Sequence, residues 1–227
     1  MAVISVAGVS ERKVAPETVT LELTIEQQGQ SRQACIDAVT AIHQAVGELL
    51  QQRKDSGVVT EFFVQSVRSG SYDKWVGGEH PNVLTQYARS AMTVTYRDFG
   101  ALGIDMVKFG EERLITLASN SWNLTRETRK QLHHDLRHEA VADARQRAEI
   151  YAAASGLSLE SVQQINEPDV EPPASNQKMV RAHAAFATLE SAAMGVASDS
   201  SRGFDLMPPE LEYSVTVHVH YNAAKLG

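Results

Sequence analysis

Only one cysteine, Cys35, occurs among the 227 residues, so the chain can form no internal disulfide and no thiolate cluster for zinc or iron–sulfur. Aromatic residues are scarce, at 6%. No uninterrupted apolar run reaches the roughly 18 residues that a membrane-spanning helix needs, so no membrane insertion is expected. Positive charge is in the minority. With 21 Lys and Arg against 28 Asp and Glu, the formal charge is −7, and no local basic patch offsets it, so no nucleic-acid partner is expected. Catalytic signatures are missing too. The nearest approach to a Gly-x-Ser-x-Gly elbow, Gly8-Val9-Ser10-Glu11-Arg12, lacks its second glycine. Neither Gly-x-Gly-x-x-Gly nor Gly-x4-Gly-Lys-Ser/Thr occurs. The reading is therefore of a non-enzyme with no catalytic residues, no cofactor and no metal. Nor does Met1 to Gly8 show a basic start followed by an apolar leader, which makes the cytoplasm the expected location.

What is present is a supply of apolar side chains, 43% of the total, enough for a packed core. From Thr18 to Glu26 they alternate strictly, with Val19, Leu21, Leu23 and Ile25 on one side, as in a half-buried strand. Ile4-Ser5-Val6 reads as a shorter strand before it. Gly8 through Pro16 supplies a turn by which the two could pair as a hairpin, with Pro16 at the strand entrance. Ser31 then caps a helix whose stripe is Cys35, Val39, Ile42, Val46, Leu49 and Leu50 and which Gly57 closes. Gly47 inside it suggests a close packing contact. Strands follow at Val58 to Val67 and Leu84 to Tyr96. Between them Gly70, Gly77, Gly78, Pro81 and Asn82 mark an exposed hairpin loop carrying Tyr72 and Trp75. Asp98 caps a second helix ending near Gly110, and Leu114 to Ala118 is a further strand.

The order from Thr18 is strand, helix, strand, strand, helix, strand, which is an α+β arrangement with a ferredoxin-like split βαβ sheet. An N-terminal hairpin strand precedes it, and a long helix and C-terminal strands follow. Thr125 caps that longest helix, which runs to about Ser155 with Gly156 as its stop. Along one stripe Leu132 and Leu136 give way to Ala140, Ala144, Ala148 and Ala152, so another element can approach its later half closely. Val162 to Ile165 is a short strand. Residues 168–208, opened by Pro168, Pro172 and Pro173 and rich in Ala and Ser, read as a variable insertion, with Met179 to Phe186 as an optional strand. The last strand, Leu211 to Tyr221, alternates clearly and demands a buried partner. All 227 residues are read as one domain carrying that insertion.

Histidine supplies the only candidates for site chemistry. His134 and His138 are four apart on the long helix and could give two ligands to a divalent metal. No Glu follows the first of them, as it does in His-Glu-x-x-His hydrolases, and the surrounding acids and bases read as a solvated helix face. His218 and His220 share a side of the last strand about 7 Å apart and should be reachable by solvent. The alternative to a non-enzyme is thus a metal-binding protein or metal-dependent hydrolase using His134 and His138, with His218 and His220 as further ligands. Tyr72 and Trp75 are the exposed aromatics most suited to a contact surface. Cys35, on an apolar stripe, is read as buried and inert.

Three stretches together resemble the SIMPL-domain family. They are Ile4-Ser5-Val6-Ala7-Gly8 with Val14-Ala15-Pro16-Glu17-Thr18-Val19, the alanine-rich run Glu139 to Glu149 with Gly156-Leu157-Ser158-Leu159 and Ile165-Asn166-Glu167, and Pro209-Glu210-Leu211-Glu212-Tyr213-Ser214-Val215. The resemblance covers nearly the whole chain apart from the insertion. It implies a self-associating α+β protein of unassigned biochemistry, linked in some members to stress tolerance, often exported, and with no accepted catalytic residues. A homo-oligomer, with a further protein partner as an option, is the expectation that follows.

Overall fold

In chain order the elements are β1 (Ala2–Val14), β2 (Thr18–Gly29), α1 (Arg32–Asp55), β3 (Val59–Val64), β4 (Arg68–Trp75), β5 (Asn82–Tyr96), α2 (Phe99–Glu111), β6 (Ile115–Asn123), α3 (Arg126–Ala154), β7 (Leu157–Asn166) and β8 (Leu211–Lys225). The computed structural model describes residues 2–75, 77, 82–168 and 206–225. These fall into two compact units, one gathering β1, α3, β7 and β8, the other β2 through β6 with α1 and α2. The optional strand from Met179 to Phe186 and most of the insertion lie outside the described residues.

The second unit is the split βαβ sheet expected from the element order. Its strands run β3-β5-β2-β6, every neighbour antiparallel, so each helix connects two strands with a third lying between them. One face is apolar and packs under the helices. Val19, Leu21, Leu23 and Ile25 from β2 meet Met92, Val94 and Tyr96 from β5 and Cys35, Val39 and Leu50 from α1, all essentially buried. The caps are those the sequence proposes. Ser31 Oγ accepts from Ala34 N at 3.4 Å and Asp98 Oδ1 from Ala101 N at 3.0 Å. Gly57, at φ 75°, closes α1 in the left-handed region that favours glycine. Gly47, by contrast, marks no close contact, since a Cβ built there meets nothing within 4 Å.

The segment expected to be a loop is partly strand. Arg68–Trp75 pairs antiparallel with the early half of β5, from Arg68 opposite Arg89 to Trp75 opposite Asn82. Its backbone groups find their partners there despite a sequence that lacks apolar alternation. Beyond Gly29, which pairs with Gln86, β2 ends, and β4 with β5 continues as a two-stranded ribbon.

The first unit corrects the expected N-terminal hairpin. β1 pairs with β8, from Ala2 opposite Ala223 to Val14 opposite Leu211, and not with β2. The sheet order is β1-β8-β7, antiparallel throughout, so β8 has a neighbour on each side. Its alternation is realised in full: Tyr213, Val215, Val217, Val219, Tyr221 and Ala223 are buried against α3. The reason β1 belongs here lies in its inward face, whose central residue is Gly8. A Cβ at that position would lie 2.0 Å from the Ala140 carbonyl oxygen and 2.7 Å from Ala144 Cβ. The alanine stripe and the glycine thus fit one another at backbone-contact distance, as the shrinking side chains of α3 foretell.

Candidate functional site

The side chains of α3 that face β1 act as a clamp. Asp143 Oδ2 accepts from the Val9 backbone N–H at 2.9 Å, and Glu139 Oε2 accepts from Ser10 Oγ at 2.6 Å while its other oxygen meets Arg12. The Val9 N–H and then Arg147, 2.8 Å away, hold the Asp143 carboxyl below the ordinary aspartate range. Strand β1 is an edge of its sheet, and a carboxylate on one of its outward N–H groups blocks that edge. Glu139, Ala140, Asp143, Ala144 and Arg147, the heart of the most distinctive run, are therefore occupied in fastening β1.

The four histidines considered as ligands do not converge. His134 and His138 lie on the exposed side of α3, their ring centroids 4.6 Å apart. His218 and His220 lie on the other face of the β1-β8-β7 sheet, since the odd-numbered residues of β8 are the ones buried under α3. There they line a shallow hollow of about 340 Å3 with Ser5, Ala7 and Asn166, and His220 Nδ1 is 2.7 Å from Ser5 Oγ. A four-imidazole centre is thus ruled out by topology. Among the described residues, no three His, Cys, Asp or Glu side chains are grouped to hold a metal.

A second polar cluster was not anticipated. Asp105, fully buried in the second unit, receives Arg53 Nε at 2.8 Å and the second guanidinium nitrogen at 2.6 Å, and accepts from the Tyr96 hydroxyl at 3.1 Å. Burial, followed by the adjacent carboxylate, raises the Tyr96 phenol far above its usual value, so it stays a donor. The signal in the sequence was an aspartate amid Leu102, Ile104, Met106 and Val107 on an apolar helix. Lys108 Nζ stands 3.7 Å away as a further ion pair, and with these partners the group is a brace between α1, α2 and β5.

Among the described residues, the β4–β5 ribbon is one of the places where large apolar side chains are exposed, as are Phe63 and the Ile150–Tyr151 pair. Helix α1 begins at Arg32, whose Nε donates to Gln86 Oε1 at 3.1 Å, and covers the sheet from there onward. The face of the ribbon that continues the core side of β5 runs past that point. Trp75 and Leu84, on the same side by register, are 73% and 58% exposed. On the reverse side Tyr72 stacks at a tilt on Tyr87, with centroids 6.2 Å apart, and donates to Gln28 Oε1 at 2.7 Å. Tyr72 is therefore tied into the ribbon, while Trp75 is presented to solvent.

No described helix is long and apolar enough to cross a membrane. No curated protein matches the chain. A family model does match, over residues 4–221 and hence across both units. The chain belongs to the SIMPL family, described as proteins of unknown function (DUF541).

Proposed function

We propose that this protein is a non-enzymatic, self-associating member of its family, and that the β4–β5 ribbon is the surface by which copies meet. The observation that carries this reading is the exposure of Trp75 and Leu84 on one side of the ribbon, beyond the start of α1. A two-stranded ribbon is marginal by itself in water, and an exposed tryptophan and leucine side by side are the kind of patch that a contact covers. The occupant is a second copy. Two ribbons related by a twofold axis would each cover the other's Trp75 and Leu84 through a self-complementary contact. The supporting chemistry is of the same tone: Glu139 and Asp143 of α3 and Asp105 of α2 are engaged within the fold, and the imidazole pairs lie apart.

Sedimentation velocity across a hundredfold range of concentration tests it. The parent chain is expected to shift to larger species as concentration rises, and Trp75→Ser with Leu84→Ser to remain monomeric with unchanged circular dichroism. A parent that stays monomeric throughout sinks the reading. The stress-related role implied by the resemblance belongs to the same proposal, and survival of a deletion strain under oxidative and osmotic challenge is its test.

A further inference from the structure

The spacing of His134 and His138 put two imidazoles on one helix face, and the structure adds how they stand. Their ring centroids are 4.6 Å apart with planes inclined by 54°, and both residues are exposed. An ion bound by two imidazole nitrogens at about 2.0–2.1 Å sits roughly 3.2 Å from each ring centre. Two such rings at a right angle around one ion then have centres about 4.5 Å apart, against about 5.2 Å at the tetrahedral angle. The observed separation is within reach of two imidazoles bound cis to one ion.

A neighbour fixes the orientation of one ring. Asp135 Oδ1 is 3.4 Å from His134 Nδ1, and a carboxylate only accepts, so Nδ1 carries the proton and the lone pair stands at Nε2. Asp135 is itself held, by Gln131 Nε2 at 2.9 Å and by Arg12 at 3.9 Å from its other oxygen. A carboxylate behind a ligating imidazole is the usual outer support of a metal site. Among the cations near the pair, Arg137 is turned to Glu167, with Nε 2.8 Å from its carboxylate.

From this geometry we propose that His134 and His138 form a two-imidazole site for a divalent transition-metal ion. Copper(II) is the tightest first-row occupant by ligand type. Water completes the coordination, since no third acid, thiol or imidazole joins the pair among the described residues. The site exchanges its ion readily and is distinct from a closed structural centre. His218 and His220 make the internal comparison, because a strand spacing of about 7 Å separates them and His220 is engaged by Ser5.

The test uses the full chain, free of any affinity tag, titrated with copper(II) chloride in a non-coordinating buffer and followed by calorimetry and electron paramagnetic resonance. Expected are one equivalent of copper, nitrogen hyperfine structure from two imidazoles, and an affinity that falls roughly tenfold or more in His134→Asn and in His138→Asn. Asp135→Asn should weaken binding by about tenfold without removing a ligand. The double variant His218→Asn with His220→Asn should bind as the parent does. Tight binding that survives loss of both helix histidines, or that vanishes with His218 and His220, overturns the assignment. So does a parent that binds no copper. Circular dichroism of each variant separates loss of ligand from loss of fold.

Discussion

At the scale of single residues, contact distances decide what can change. Gly8 has no room for a methyl group: the added carbon would fall within 2.0 Å of a backbone oxygen of α3. Gly8→Ala is expected to cost about 3 kcal/mol or more, read as a lower denaturant midpoint, because backbone must move to relieve the overlap. Gly47 gives the opposite result. Its surroundings are open, so Gly47→Ala should raise stability by about 1 kcal/mol through helix propensity alone. Asp105 is the third case. Removing its carboxylate leaves the Arg53 guanidinium without its bidentate partner, and Asp105→Ala should lose about 3–5 kcal/mol. Replacing all three partners, as Arg53→Met with Asp105→Leu and Tyr96→Phe so that no buried donor is left unpaired, should recover most of that loss, which distinguishes a brace from a group needed for its charge.

At the scale of elements, pH reports on the packing of α3. The buried face of His133 stands edge-on to Tyr213, with ring centroids 5.7 Å apart. Its Nδ1 is buried with no hydrogen-bond partner. Burial first, then Arg137 and Arg129, lower its pKa below the ordinary 6.5. A base with a depressed folded-state pKa binds more protons when unfolded. Stability is therefore full above about pH 6.5 and declines as pH falls from there toward the folded-state value. Urea unfolding between pH 8 and pH 5 should show this decline, and His133→Phe should flatten it. A parent whose stability is level across that range would refute the assignment.

How much of these elements could be read beforehand follows from the physics of each. Strands β2 and β8 were legible because one face is buried and the other wet, and the capped helices because Ser31, Asp98 and Thr125 each announce a start that the structure confirms. Strand β4 was not, because both its faces are exposed or polar and nothing alternates. The partner of β1 was hidden for another reason. Alternation says that a strand needs a neighbour, and only the match of Gly8 to the alanine stripe says which helix it lies on. The histidine spacing was plain in the sequence, whereas the approach of the two rings depends on rotamers that Asp135 helps to set.

At the scale of the whole molecule, charge bears on association. Copies carrying a net −7 repel one another, and salt screens that repulsion over about 10 Å at 0.1 M. An apolar contact through Trp75 and Leu84 should therefore strengthen as ionic strength rises. Light scattering at about 20 mM and about 300 mM salt checks this, against screening lengths that shorten as expected. Association that dissolves with added salt would point to a contact made of ion pairs instead.

The pairing of β1 with β8 carries a consequence for biosynthesis. Strand β1 leaves the ribosome well before its partner, because the strand that completes its hydrogen bonding lies roughly two hundred residues downstream. The ferredoxin-like sheet, whose strands all fall between Thr18 and Asn123, can fold while translation proceeds. Strand β1 must instead wait with an unsatisfied backbone until β8 has been made, and during that interval it needs shielding from its neighbours.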